Sequence, residues 1–275
     1  MTRLASRFGR FNQIQSATPL DDDQIRRVAP SIFADEKHES RSDRYTYIPT
    51  IDVLTALRKE GFQPFMACQT RVRNEGKREH TKHMLRLRHE NHIQAAQANE
   101  IVLLNSHDGS SSYQMLAGMF RFVCANGMVC GEVNSDIKVR HNGNIIGDVI
   151  DGAFKVLDSF EEITNQREAM QSLTLNKGEQ SAFAHAALSL KYDDELKAPP
   201  ITEAQILQPR RFEDRSNSMW ATFNTVQEHM EKGGLTGRNS SGRRTTTRAI
   251  TGIDQNVKIN RALWILAEEM RKLKA

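Results

Sequence analysis

The chain has 275 residues, 38 Lys and Arg against 34 Asp and Glu, and three cysteines, Cys68, Cys124 and Cys130. That length buries a core without staples, and an odd cysteine count with no CxxC pair excludes a secreted disulfide scaffold and points to a reducing compartment. No apolar run reaches the ~20 residues of a membrane span, and the opening carries Arg3, Arg7 and Arg10 but no apolar stretch like a signal peptide, so a cytoplasmic protein is expected, with no membrane partner.

Net charge is only +4, but it is sorted along the chain. Residues 18–39 hold six acids and three bases, whereas residues 232–261 hold seven bases and Asp254 alone. Such sorting suggests a basic face.

In chain order, residues 1–43 read as a polar N-terminal arm with one short helix after Pro19, where Asp21, Asp22 and Asp23 suit a first turn. Residues 44–50, RYTYIPT, look like a strand or edge segment, and 51–61 like a helix stopped by Gly61. Residues 65–72 and 82–89 read as strands joined by the polar turn 73–77, and 101–104 as a third, buried strand. Met115, Leu116, Met119, Phe120 and Val123 have a spacing that predicts a helix over 112–124. Residues 137–141 and 145–149 flank Asn142-Gly143-Asn144 as a hairpin, unless the helix already begins at Ile145. Helical patterns follow over 148–175 and 180–190, then a linker at Pro199-Pro200, helices at 202–205, 217–232 and 255–272, and a Gly, Ser, Thr and Arg-rich stretch over 233–252. The expected class is α+β: an antiparallel hairpin sheet with helices over 44–195 in a β-β-β-α-like core, and a helical C-terminal region over 196–275 with a basic Gly/Arg-rich loop.

Residues 71–92 carry seven bases, three acids and four histidines. Alternate residues of a strand share a face, so Arg71, Arg73, Lys82, Arg86 and Arg88 suit a stripe that tracks phosphates; the same run also suits a solvated sheet face. Tyr45 and Tyr47, two apart in an extended basic stretch, are candidates for base stacking, while Trp264 reads as packing. Arg238, Arg243 and Arg244 form a second candidate element, in a loop with no intervening acid that is either ordered or disordered. His80, His83, His89 and His92 invite a metal reading, but strand residues three apart diverge, so no metal is assigned. Ser106-His107-Asp108 is no triad, because adjacent side chains cannot orient one another, and a capped turn explains it. No phosphate-loop or dinucleotide fingerprint is present, so neither a cofactor nor a catalytic residue is assigned.

The strings RYTYIPT (44–50), QTRVRNEGKREHTKHMLRLR (69–88), LLNSHDGSSSYQMLAGMFRFVCANGMVCGE (103–132), EAMQSL (168–173), ILQPRR (206–211), GGLTGRN (233–239) and NRALW (260–264) resemble an uncharacterised bacterial family carried by prophages and plasmids, often labelled phage/plasmid-like protein. The family brings no established catalytic residues. The expected β-β-β-α order is also similar to the core of single-strand annealing proteins, the class of RecT, Erf and Red-beta. That resemblance implies a single-stranded DNA-binding and annealing protein of a mobile element, a homo-oligomer as ring or filament, acting in recombination without metal. Two alternatives stay open: a metal-dependent nuclease built on Asp108, His107 and His83, and an anti-defence factor that uses its acidic arm on a host protein.

Overall fold

The computed structural model describes residues 12–40, 47–71, 75–89, 97–122, 126–131, 137–139, 145–192 and 198–274. The fold is α+β, an antiparallel sheet with helices followed by a helical C-terminal part. It divides into two units: one comprises the described residues up to Gly118 and from Asp136 to Asp158, the other the described residues of 119–135 and 159–275.

The first unit opens with strand β1 (Asn12–Gln15), helix α1 (Asp22–Val28) and a 3₁₀ turn (Pro30–Phe33). The acids after Pro19 start α1 as expected: Asp21 Oδ1 accepts from Gln24 N at 2.7 Å and Gln24 Oε1 accepts from Asp21 N at 3.0 Å, a reciprocal cap. Helix α2 (Thr50–Lys59) follows, then strands β2 (Phe62–Gln69), β3 (His83–His89), β4 (Gln97–Asn105) and β5 (Tyr113–Arg121). Neighbours run in the order β1-β2-β3-β4-β5, antiparallel from β1 to β4, with a register shift between Pro64 and Met66. That irregularity sits where Pro64 has no amide hydrogen for the ladder.

The segment expected to be a helix over 112–124 is instead β5 where described, which also removes the β-β-β-α order. Nearly every residue of β5 is buried, so the strand lacks the one-sided alternation that marks a half-buried strand, and its apolar run imitates helical spacing. Strand β6 (Asn126–Val129) neighbours β5 in the sheet order. Strand β7 (Ile137–Val139) pairs antiparallel with β5, and helix α3 (Ile145–Asp158) packs on α2 and β7, so the helix does begin at Ile145.

The second unit holds the end of β5, β6 and the remaining helices: α4 (Phe160–Ser172), α5 (Lys177–Lys191), α6 (Glu203–Ile206), α7 (Met219–Lys232) and α8 (Ile253–Lys274), with a 3₁₀ turn at Phe212–Asp214. Ser159 interrupts what the sequence presents as one helix over 148–175. Helix α7 is buried on every side from Met219 to Met230, enclosed by α4, α5, α6, α8 and the 3₁₀ turn. Trp220, Phe223 and Trp264 pack together at its start, with ring centroids 5.6 to 6.4 Å apart. Helices α4 and α5 therefore pack with the C-terminal helices, and this unit extends well before residue 195.

The basic stretch after α7 is ordered. Strands β8 (Thr236–Arg238) and β9 (Arg244–Thr246) form a two-stranded antiparallel hairpin.

Candidate nucleic-acid interface

Two of the expected phosphate-contacting residues face inward. Arg86 and Arg88 are two apart on β3 and thus share a face, but that face is interior, with exposures of 3% and 1%. Arg86 Nη1 donates to Glu100 Oε2 at 2.9 Å and Arg88 Nε to Glu100 Oε1 at 2.8 Å, while the Arg88 guanidinium lies 4.3 Å from the Phe65 ring centroid. Burial pulls the Arg88 guanidinium below its ordinary value, with Glu100 opposing. These two arginines form an internal Arg–Glu–Arg cluster and leave the expected stripe without its centre. The alternation of basic and apolar residues in β3 was real, but a carboxylate on β4 made the basic side an inside. Arg71 is exposed and Lys82 half-buried. Arg73 and Tyr45 lie outside the described residues. Tyr47 is half-buried, its hydroxyl donating to the Ala34 carbonyl and its ring 4.9 Å from that of His107, so it is a packing residue.

The histidines resolve differently. His83 and His107 are fully buried and both face the Thr50 hydroxyl, His83 Nε2 at 2.9 Å and His107 Nε2 at 3.4 Å. Asn105 Nδ2 donates to the same hydroxyl at 2.9 Å, and His83 Nδ1 lies 3.2 Å from the Thr81 carbonyl and 3.0 Å from Ser31 Oγ. A neutral His83 with its proton on Nδ1, donating to Thr81 and accepting from Thr50, satisfies both of its ring nitrogens. Burial first, then the neighbouring His107, drives the His83 imidazole well below its ordinary value. His80 and His89 are half-buried, and His92 lies outside the described residues. Among the described residues, no three His, Cys, Asp or Glu gather as a metal site would require. Asp108 closes its own turn: burial alone raises its carboxyl, but hydrogen bonds from Ser110 and Ser106 outweigh that and hold it below its ordinary value.

A group of exposed guanidiniums lies on the β8–β9 hairpin and just beyond it. Arg238 and Arg244 are direct cross-strand partners, as are Thr236 and Thr246, and all four are exposed. These pairs lie on one face by the two-residue period of a strand, with Arg243 at the loop and Arg248 just beyond, both exposed. No acid occurs over 233–253, and none of the four arginines has an ion-pair partner among the described residues.

The frame beneath this face is fixed. Asn239 Oδ1 accepts from Ser241 N at 3.1 Å and Arg243 N at 2.9 Å, and Arg238 Nη1 donates to the Gly242 carbonyl at 2.8 Å, which closes the loop. The inner side approaches the 200–205 segment, where Arg238 N donates to Pro200 O at 2.9 Å and Gln205 Nε2 to Thr236 O at 2.9 Å. A Cβ on Gly237 would stand 1.7 Å from Pro200 O, so only glycine lets the strand come this close. At the base, Gly233 has φ +61°, and a Cβ there would meet Arg248 C at 2.6 Å. The glycines of GGLTGRN are thus the joinery of the hairpin. Composition offers Thr236 as a hydroxyl and Arg248 as a charge in this stretch, but the face that Thr236 shares with Thr246 depends on a register that only the paired strands define.

Residues 37–264 match the profile of a domain of unknown function, DUF932. The chain belongs to the DUF932 family. This DUF932 chain is similar to the UPF0380 protein YfjQ of Escherichia coli (strain K12), 57% identical over 270 residues covering 98% of each chain. It is equally similar to the UPF0380 protein YafZ of the same strain, 56% identical over 270 residues with 98% of each covered. No solved structure matches it. The expected likeness to annealing proteins gains no support from these matches.

Proposed function

We propose that this DUF932 protein binds single-stranded DNA through the exposed face of the β8–β9 hairpin and thereby brings complementary strands together. The observation that carries the reading is the direct pairing of Arg238 with Arg244. Like charges opposite one another on a ladder repel, and a bound phosphate between two guanidiniums turns that repulsion into two charge-assisted hydrogen bonds. Thr236 and Thr246 add hydroxyl donors on the same face, and Arg243 and Arg248 extend the positive field. Backbone contact of this kind is indifferent to sequence and strongly salt-dependent.

The test is binding of a labelled oligo-dT across a salt series in chelator, with annealing of complementary oligonucleotides followed in parallel. Four phosphate contacts predict a slope of log K on log salt of about −3, at ~0.7 per contact. Replacing Arg238 and Arg244 by Ala should lower affinity and flatten the slope by about 1.4, while Arg71→Ala leaves both unchanged. A double variant that melts like wild type and keeps the wild-type slope would overturn the reading.

A further inference from the structure

Among the described residues, one large aromatic side chain stands out in solvent: Phe212 is 76% exposed, against 40% for Phe154, the next aromatic. It sits in the 3₁₀ turn Phe212–Asp214, and the residues around it are tied to the interior. Arg210 Nε donates to His229 Nδ1 at 3.1 Å and its Nη2 to Gly233 O at 2.6 Å. Arg211 Nη2 donates to Glu228 Oε1 at 2.8 Å. On the other flank, Asp214 is buried and paired with Arg121 at 2.8 Å. A turn anchored at 210, 211 and 214 leaves the ring no route inward, so its exposure is built into the frame. Leaving so much apolar surface in water gains nothing for folding.

The surroundings state what the ring suits. The Arg215 guanidinium lies over it, 5.1 Å from its centroid, and Arg210 bonds directly to the glycine at the base of the basic hairpin. A flat apolar ring beside guanidiniums is the chemistry that receives a nucleobase while the adjoining phosphates are neutralised. We propose that Phe212, backed by Arg215, is a stacking platform for a base of the strand that the hairpin holds. The inference rests on the strand-binding reading above and makes it selective for single strands, because a base inside a duplex has both faces covered by its stacked neighbours.

The experiment compares wild type, Phe212→Ala and Phe212→Trp on oligo-dT and on an abasic deoxyribose-phosphate oligomer of equal length and charge, with melting curves confirming the fold. Phe212→Ala should weaken oligo-dT binding about five- to a hundredfold and leave abasic binding unchanged, whereas Phe212→Trp keeps the affinity and its added fluorescence is quenched by oligo-dT alone. Equal affinity of wild type and Phe212→Ala for oligo-dT, or an equal loss on both oligomers, overturns the platform while leaving the hairpin reading intact. If wild type binds neither oligomer, both readings fall together.

Discussion

Glu100 holds two guanidiniums in a place where all three charges are almost wholly withdrawn from water. Removing the carboxylate leaves two buried cations facing each other, and breaking a buried pair in this way costs about 3–5 kcal/mol. Glu100→Gln should therefore lower the melting temperature sharply, and chemical denaturation should show the loss directly. Replacing Arg86, Arg88 and Glu100 together by apolar residues of similar volume should cost less than Glu100→Gln, because the two guanidiniums are removed with their carboxylate. His83 makes a different prediction. Its imidazole is held well below its ordinary value, so between that depressed value and about 6.5 the unfolded chain binds a proton that the folded chain refuses. Stability is then full above pH 6.5 and falls as the pH drops through this window. Melting curves from pH 8 to pH 5 should show the decline, and His83→Gln, which keeps polar contacts but cannot titrate, should flatten it.

The β8–β9 hairpin sets stability against binding. Arg244→Thr removes the like-charge opposition to Arg238, so the free protein should melt slightly higher while the salt slope of strand binding falls by about 0.7. Calorimetry and a binding titration on the same sample check both signs at once. Gly237→Ala tests the frame instead: its new methyl would collide with Pro200 O, and overpacking of this kind costs about 1–3 kcal/mol and lifts the hairpin from its seat. The paired strands β2 and β3, the start of α1 and the final helix α8 are legible in the sequence, because a polar turn, a run of acids after a proline and helical periodicity are local signals, although Asp21 caps α1 rather than joining its first turn. Strand β5 was not, since double burial erases the alternation that marks a strand. Nor was the fate of Arg86 and Arg88, which is decided by a carboxylate a dozen residues away. The arginines of 238–244 were readable as charge, but the face they share depends on strand pairing, which composition does not encode.

Neither unit is a continuous piece of chain. The first unit is left after Gly118, re-entered at Asp136 and left again after Asp158, so each unit is completed only when distant segments return to it. A fragment ending at residue 195 keeps α4 and α5 but strips away α7 and α8, against which they pack. Such a fragment should collect exposed apolar surface, bind a hydrophobic dye and aggregate, and light scattering on purified 1–195 would show it. Helix α7 carries this point further. Enclosed by neighbours along its length, it opens only when the unit around it opens, whereas the hairpin beyond Gly233 meets solvent along one face. Deuterium uptake should divide at that glycine: amides of α7 exchange at the rate set by unfolding of the unit around it, and those of the hairpin loop exchange by small local excursions. A bound strand, which holds only the folded state, would slow exchange in the hairpin directly and would also lower the unfolding-limited exchange of the helix that supports it.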